Sequence, residues 1–184
     1  MFQNLLSKIA RALDGAGIPY MVIGGQAVML HGEPRLTRDI DITLGVDTSE
    51  LRRVLALCKD IGLTPSSADV DHFVQKTNVL VLFEESGSLN VDLIFSFTPY
   101  EAQAIGRAVA VRIFDVSVRF ATAEDLIIHK LVAGRPRDLE DVRGVIVHQK
   151  QLDEAYLKVW LHGFREVVGR DLSAEFDSMK AGLR

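Results

Sequence analysis

MVIGGQAVMLHGEPRLTRDIDITL, residues 21–44, runs from a short apolar strand through a glycine pair into a helical run and then a second strand that carries two aspartates. Aspartate is depleted in strands because it packs poorly on the pleat and resists desolvation, so Asp39 and Asp41 among Ile40, Ile42 and Leu44 need a reason. Residues two apart in a strand face the same way, which puts the two carboxylates together with Cα atoms about 6 to 7 Å apart and turns Ile40 and Ile42 to the opposite face. At that separation they repel by roughly 2 to 3 kcal/mol at an effective dielectric near 20. Either bulk water on a solvated strand face or a bound cation relieves the repulsion. Mg²⁺ suits such a place, since it takes one or two carboxylates and completes its shell with substrate phosphate oxygens.

Upstream, the strand ending at Ile23 meets Gly24 and Gly25, and residues 26–30 read as the first turns of a helix. A helix N-terminus reached through glycines lets the backbone approach an anion and points free amides at it. The same pair also serves as a plain strand-to-helix turn, and it matches neither the Walker nor the dinucleotide fingerprint. A third carboxylate, Asp92, interrupts the apolar run SLNVDLIF at 88–95; the run NVLVLF at 78–83 precedes it, with EESG at 84–87 as the turn of an antiparallel hairpin. Asp92 could then stand beside Asp39 and Asp41, or face solvent alone.

Taken together, the Gly-Gly pair, a thirteen-residue spacer from Gly25 to Asp39, the Asp-x-Asp pair and a later strand aspartate resemble the nucleotidyltransferase superfamily with the DNA polymerase beta-like fold. Gly32, Arg35, Thr37 and Arg38 before Asp39 look like its small bacterial stand-alone members. The resemblance implies that Asp39, Asp41 and Asp92 are the catalytic, metal-holding carboxylates, working with two Mg²⁺ ions, and that Gly24, Gly25, Gln26 and Arg38 attend the nucleotide. Family members often carry Ser after the first Gly; here Gly25 is followed by Gln26, so that hydroxyl is missing and backbone amides or Gln26 would stand in for it.

A second cluster is TAEDLIIHKLVAGRPRDLEDV at 122–142. Thr122 with Asp125 reads as an N-cap box, and Leu126, Ile127, Lys130 and Leu131 share a face, so Lys130 emerges on the apolar side. Such a lysine ordinarily snorkels to solvent. By resemblance to the toxin-type nucleotidyltransferases of phage-defence and toxin–antitoxin systems, Lys130 would instead contact nucleotide phosphates, with Arg135 and Asp138 as supporting residues. Asp138 and Asp141 also fit the acid preference of a first helical turn, and Arg137 could pair with Asp141.

Of the 184 residues, 48% are hydrophobic and 25% charged, with a formal net charge of −4, values that suit a globular enzyme domain and argue against nonspecific coating of DNA. Arg107, Arg112, Arg119, Arg135, Arg137 and Arg143 lie in the second half, either as solvated surface or as a guide for an anionic partner such as RNA. No apolar run approaches the roughly 20 residues that span a bilayer, and residues 1–17 read as an amphipathic helix without a signal-peptide cleavage site, so a cytoplasmic protein is expected. Cys58, the one cysteine, sits on the apolar stripe Leu51, Val54, Leu55, Cys58 and Ile61 and reads as core; His31, His72, His129, His148 and His162 show no zinc-site spacing.

Periodicity predicts helices over 2–15, 25–31, 48–60, near 69–76, near 99–105, 122–133, 137–148 and 152–168, and strands over 19–23, 38–44, 78–84, 89–95, 107–113 and 115–120. The expected class is α+β, a mixed, mostly antiparallel sheet flanked by helices, with residues 1–121 as a nucleotidyltransferase core and 122–184 as a C-terminal helical portion packed on it. The expected activity is Mg²⁺-dependent transfer of a nucleoside monophosphate from an NTP, ATP among them, to an acceptor hydroxyl or phosphate on RNA, protein or a small molecule. The alternative is a noncatalytic module that binds nucleotide or a cognate partner protein in a toxin–antitoxin type system.

Overall fold

The computed structural model describes residues 2–84 and 89–183. In chain order the elements are α1 (Phe2–Gly15), β1 (Tyr20–Ile23), α2 (Gly24–His31), β2 (Asp39–Leu44), a single 3-10 turn (Thr48–Glu50), α3 (Leu51–Asp60), β3 (Leu63–Pro65), α4 (Val70–Thr77), β4 (Val79–Glu84), β5 (Asn90–Phe95), α5 (Pro99–Arg107), β6 (Val109–Ile113), β7 (Val116–Phe120), α6 (Ala123–Ala133), α7 (Pro136–His148), α8 (Glu154–Gly163), α9 (Arg165–Val168) and α10 (Leu172–Ala181). By internal contacts the chain divides into two units, residues 1–26 with 36–120 and residues 27–35 with 121–184.

The first unit holds a seven-stranded mixed sheet in the order β3-β4-β5-β2-β1-β7-β6. Four of its pairings are antiparallel; β2 with β5 and β1 with β7 are parallel, so the fold is α+β with a mixed, mostly antiparallel sheet, as the sequence predicts. Register between β2 and β5 pairs Ile40 with Val91, Ile42 with Leu93 and Leu44 with Phe95, all at 0–1% exposure. Burial of each such side chain stabilises by about 1.5 to 3 kcal/mol, far more together than the repulsion of a carboxylate pair on the other face. A one-residue slip would exchange the faces, so the apolar side fixes which residues stand together on the polar side. Strands β4 and β5 form the expected antiparallel pair; the turn expected at 84–87 lies, beyond Glu84, outside the described residues. Helix α1 packs on β7 and α3 on β3, with Leu5, Leu6, Ile9, Leu13, Val54 and Cys58 buried.

In the second unit α6 is the central element, in contact with α7, α8 and α10. Seven of its residues, including Leu126, Ile127, Ile128 and Leu131, are buried, so it is covered nearly all round. Its start is fixed by Thr122, whose Oγ1 accepts from Asp125 N at 3.2 Å, and its end by Gly134 at φ 64°.

Two expectations are corrected. The helix expected over 152–168 is broken at Gly163 and Phe164 into α8 and α9; Val159 is 67% exposed, and Leu157 and Leu161 supply the buried side. Strand β3 goes unpredicted because it has three residues and ends in proline, a combination tolerated only at the sheet edge where it lies.

Candidate active site

The parallel register of β2 and β5 sets Asp41 directly beside Asp92, and Asp39 beside Asn90. Ile23 of β1 flanks Asp41 and Val81 of β4 flanks Asp92, so one row across four strands reads Ile23, Asp41, Asp92, Val81. Adjacent strands lie about 4.8 Å apart, where two carboxylates repel by roughly 3 kcal/mol at an effective dielectric near 20. Partial burial, reinforced by the charges of Asp41 and Asp39, pushes the Asp92 carboxyl up from 3.8 to about 6. Asp39 shares the face; its Oδ1 accepts from Asn90 Nδ2 at 3.0 Å.

Above this row β1 passes into α2 without a loop. Gly24 has φ +62°, and a Cβ added there would stand 1.8 Å from Asp41 Oδ2, so the Asp41 carboxylate fills the space that a side chain at position 24 would take. A Cβ at Gly25 would meet Thr37, 2.7 Å from Oγ1 and 2.8 Å from Cβ. The two glycines are therefore required by close approach, of a carboxylate to the first and of a hydroxyl side chain to the second. Gln26, in the same first turn, is 6% exposed, and its Nε2 has no hydrogen-bond partner among the described residues. Arg38 is exposed, and its carbonyl accepts from Asn90 N at 3.3 Å.

Lys130 lies in the second unit. It does not snorkel: it is 7% exposed, and its Nζ donates to Asp138 Oδ1 and pairs with Asp141 Oδ2, each at 2.8 Å. Arg135 adds a hydrogen bond to Asp138, and Arg35 holds Asp141 through two parallel bonds of 2.8 and 2.9 Å. Asp141 thus pairs with Arg35 and Lys130, in place of the partner expected at Arg137. Burial opposes ionisation of Asp138 and Asp141, but hydrogen bonds from Arg135, Arg35 and Lys130 outweigh it and hold both carboxyls below the usual carboxylate range. The structure therefore brings together Lys130, Arg135 and Asp138 in one unit and Asp39, Asp41, Asp92, Gly24 and Gly25 in the other.

A family model described as nucleotidyltransferase of unknown function (DUF6036) matches residues 2–169. The chain belongs to this nucleotidyltransferase family. No curated protein matches the sequence. Among solved structures, the chain is similar to ANT(2")-Ia in complex with adenylyl-2"-tobramycin, with a TM-score of 0.60 and 20% identity over 90% of this chain and 97% of that one. It is similar also to the lincosamide antibiotic adenylyltransferase LnuA with lincomycin bound, at a TM-score of 0.56 and 16% identity over 79% of this chain and 97% of that one. An antigenic nucleotidyltransferase-like protein from Paracoccidioides brasiliensis gives a TM-score of 0.57 and 19% identity over 95% of this chain and 91% of that one. At these identities the likeness is one of fold.

The donor set of this site fits a hard divalent cation in its chemistry: Asp41 and Asp92, register partners on adjacent strands, supply carboxylate oxygens. As the side chains stand, no group of three or more His, Cys, Asp and Glu could hold a metal among the described residues. Asn90 and Thr37 were not among the candidates named from sequence. Their signal is parity: 37, 39 and 41 share a face in an extended chain, as do 90 and 92.

Proposed function

We propose that this chain is a Mg²⁺-dependent nucleotidyltransferase that moves a nucleoside monophosphate from an NTP to an acceptor hydroxyl or phosphate and releases pyrophosphate. One observation carries the reading: Asp41 and Asp92 are register partners on a half-exposed face, with the Asp41 carboxylate against Gly24 at the start of α2. Asp39, Asp41 and Asp92 would hold the metal, which when bound supplies charge neutralisation on the triphosphate and lowers the pKa of the acceptor. In the other role open to it, Asp92 would take the acceptor proton instead of ligating the metal. The free amides of Gly24, Gly25 and Gln26 at the head of α2 offer donors to phosphate oxygens, and Arg38 offers an exposed cation. In phosphoryl transfer such positioning and electrostatics supply most of the acceleration. The reading rests on the first unit alone.

The test is a transfer assay with labelled ATP, CTP, GTP and UTP against RNA, protein, aminoglycoside and lincosamide pools, with and without Mg²⁺. The last two enter because two proteins of similar fold are antibiotic-modifying enzymes. Label should move to one pool in a Mg²⁺-dependent manner and stay with the NTP in the Asp41→Asn variant. Metal-dependent NTP binding without transfer to any pool would favour the noncatalytic, partner-binding alternative of a toxin–antitoxin type system.

A further inference from the structure

We infer that Thr37 is a polyphosphate-contacting residue, its hydroxyl standing beside Gly25 in the place where a side chain from the helix itself would otherwise stand; the inference rests on the nucleotidyltransferase reading above. Three Thr37 atoms lie within 3.1 Å of the point that a Cβ on Gly25 would occupy, so the threonine is packed into the first turn of α2. Among the described residues its hydroxyl makes two contacts, both long and both to Asp39 backbone: it accepts from N at 3.4 Å and donates to O at 3.5 Å. Hydroxyl bonds of full strength are 2.5 to 3.0 Å, about half an ångström shorter, so the proton is weakly engaged and can turn to a stronger acceptor.

The surroundings say what that acceptor is. The Asp41 carboxylate stands against Gly24, and Thr37 Oγ1 stands against the next residue, Gly25. The same first turn of α2 carries amides that have no carbonyl four residues back to donate to. Gln26, in the same turn, has a buried Nε2 donor without an acceptor among the described residues. A hydroxyl and helix-start amides beside a carboxylate match an anion that arrives with its cation. A metal-bound chain of phosphates has both, whereas a free carboxylate or a bare cation has one. Thr37 stands two residues before Asp39, the first residue of β2, and its hydroxyl contacts the Asp39 backbone, so donor and carboxylates are close along one chain segment.

The probe is inorganic tripolyphosphate with Mg²⁺, which needs no knowledge of the preferred base, titrated calorimetrically against the full chain. Thr37→Val keeps the shape packed on Gly25 and removes the hydroxyl; it should weaken binding roughly 10- to 100-fold, the worth of one hydrogen bond to a charged group. Thr37→Ser keeps the hydroxyl and should stay within about threefold of wild type. Gly25→Ser alone should lose binding, because its Cβ meets Thr37, and Gly25→Ser with Thr37→Gly, which transposes the hydroxyl across the contact, should restore it to within about tenfold. Wild type that binds and Thr37→Val that binds equally well would overturn the assignment of Thr37 and leave the enzymatic reading standing. Wild type that binds no Mg²⁺-tripolyphosphate would overturn both. Equal thermal midpoints for wild type, Thr37→Val and Thr37→Ser separate a ligand contact from a packing defect.

Discussion

Replacing Asp92 by Asn should make the metal-free protein more stable and the metal-loaded protein less responsive. Asn keeps the shape of the side chain and removes the charge that Asp41, its partner across the strand pair, disfavours. A carboxyl moved from 3.8 to about 6 corresponds to about 3 kcal/mol at about 1.36 kcal/mol per pH unit. Asp92 is only half-buried, so solvent screening reduces the recoverable part to about 1 to 2 kcal/mol. For a chain of this length that is a rise in Tm of roughly 2 to 8 °C in EDTA at pH 7.5. The sign follows from linkage. A group whose folded pKa lies above its unfolded value contributes stability that is fully present below pH 4 and lost as pH rises through 6, so the two melting curves should coincide at pH 4 and separate by pH 7. Mg²⁺ at a hundredfold its Kd adds about 2.7 kcal/mol to the wild type and little to the variant, which reverses the order. The assay is thermal unfolding by circular dichroism from pH 4 to 8 with EDTA or Mg²⁺. An Asp92→Asn protein less stable than wild type in EDTA, or one that gains as much from Mg²⁺, would refute the reasoning.

Gly24→Ala should lower stability by more than the 1 kcal/mol or so of a positive-φ alanine, because its Cβ meets Asp41 Oδ2 at 1.8 Å; Gly17→Ala, at φ +65° with nothing within 4 Å, is the control that carries backbone strain alone. If the two variants melt together, the Gly24–Asp41 contact is not the constraint. Lys130→Met should cost about 3 to 5 kcal/mol by leaving Asp138 and Asp141 short of a buried cation, roughly 10 °C in Tm, and a change under 0.5 kcal/mol in chemical denaturation would remove Lys130 from the stability of the second unit. Asp138 and Asp141 have depressed folded pKa values, so their contribution is present above the unfolded value near 4 and lost as pH falls below it; Asp141→Asn should flatten the acid limb below pH 4 and leave the limb between 4 and 6 unchanged.

The strands that hold the aspartates are legible because alternation is a local signal: Ile40, Ile42 and Leu44 against Asp39 and Asp41, and Val91, Leu93 and Phe95 against Asn90 and Asp92, each declare a buried and an open face. Strand order is not local, and nothing in either segment announces that β2 and β5 pair in parallel with Asp41 opposite Asp92. The Lys130 network shows the same boundary. Helical spacing places Lys130 on the apolar side of α6, but its partners Asp138 and Asp141 lie on the next helix, and Arg35, which completes the pairing, is 106 residues away in sequence from Asp141. Read along the helix alone, a buried lysine has two outlets, solvent or a ligand. The structure supplies a third, a pair of carboxylates.

What joins fold to site in the first unit is that one register serves both. Six apolar side chains of β2 and β5 are buried against the core and tolerate no slip, and the pleat then delivers the residues between them to the opposite face. The carboxylates can therefore stand in mutual repulsion: the roughly 3 kcal/mol that would separate them in an unsupported strand pair is small beside the burial that aligns their neighbours. Glycines 24 and 25 extend the same logic, since each yields the volume of a side chain to a functional group arriving from residues 37–41. A site built this way is held from behind. Its charge can be altered at Asp92 or Asp41 with the strand pairing intact, whereas a polar residue at Ile42 or Leu93 should lose fold and site together.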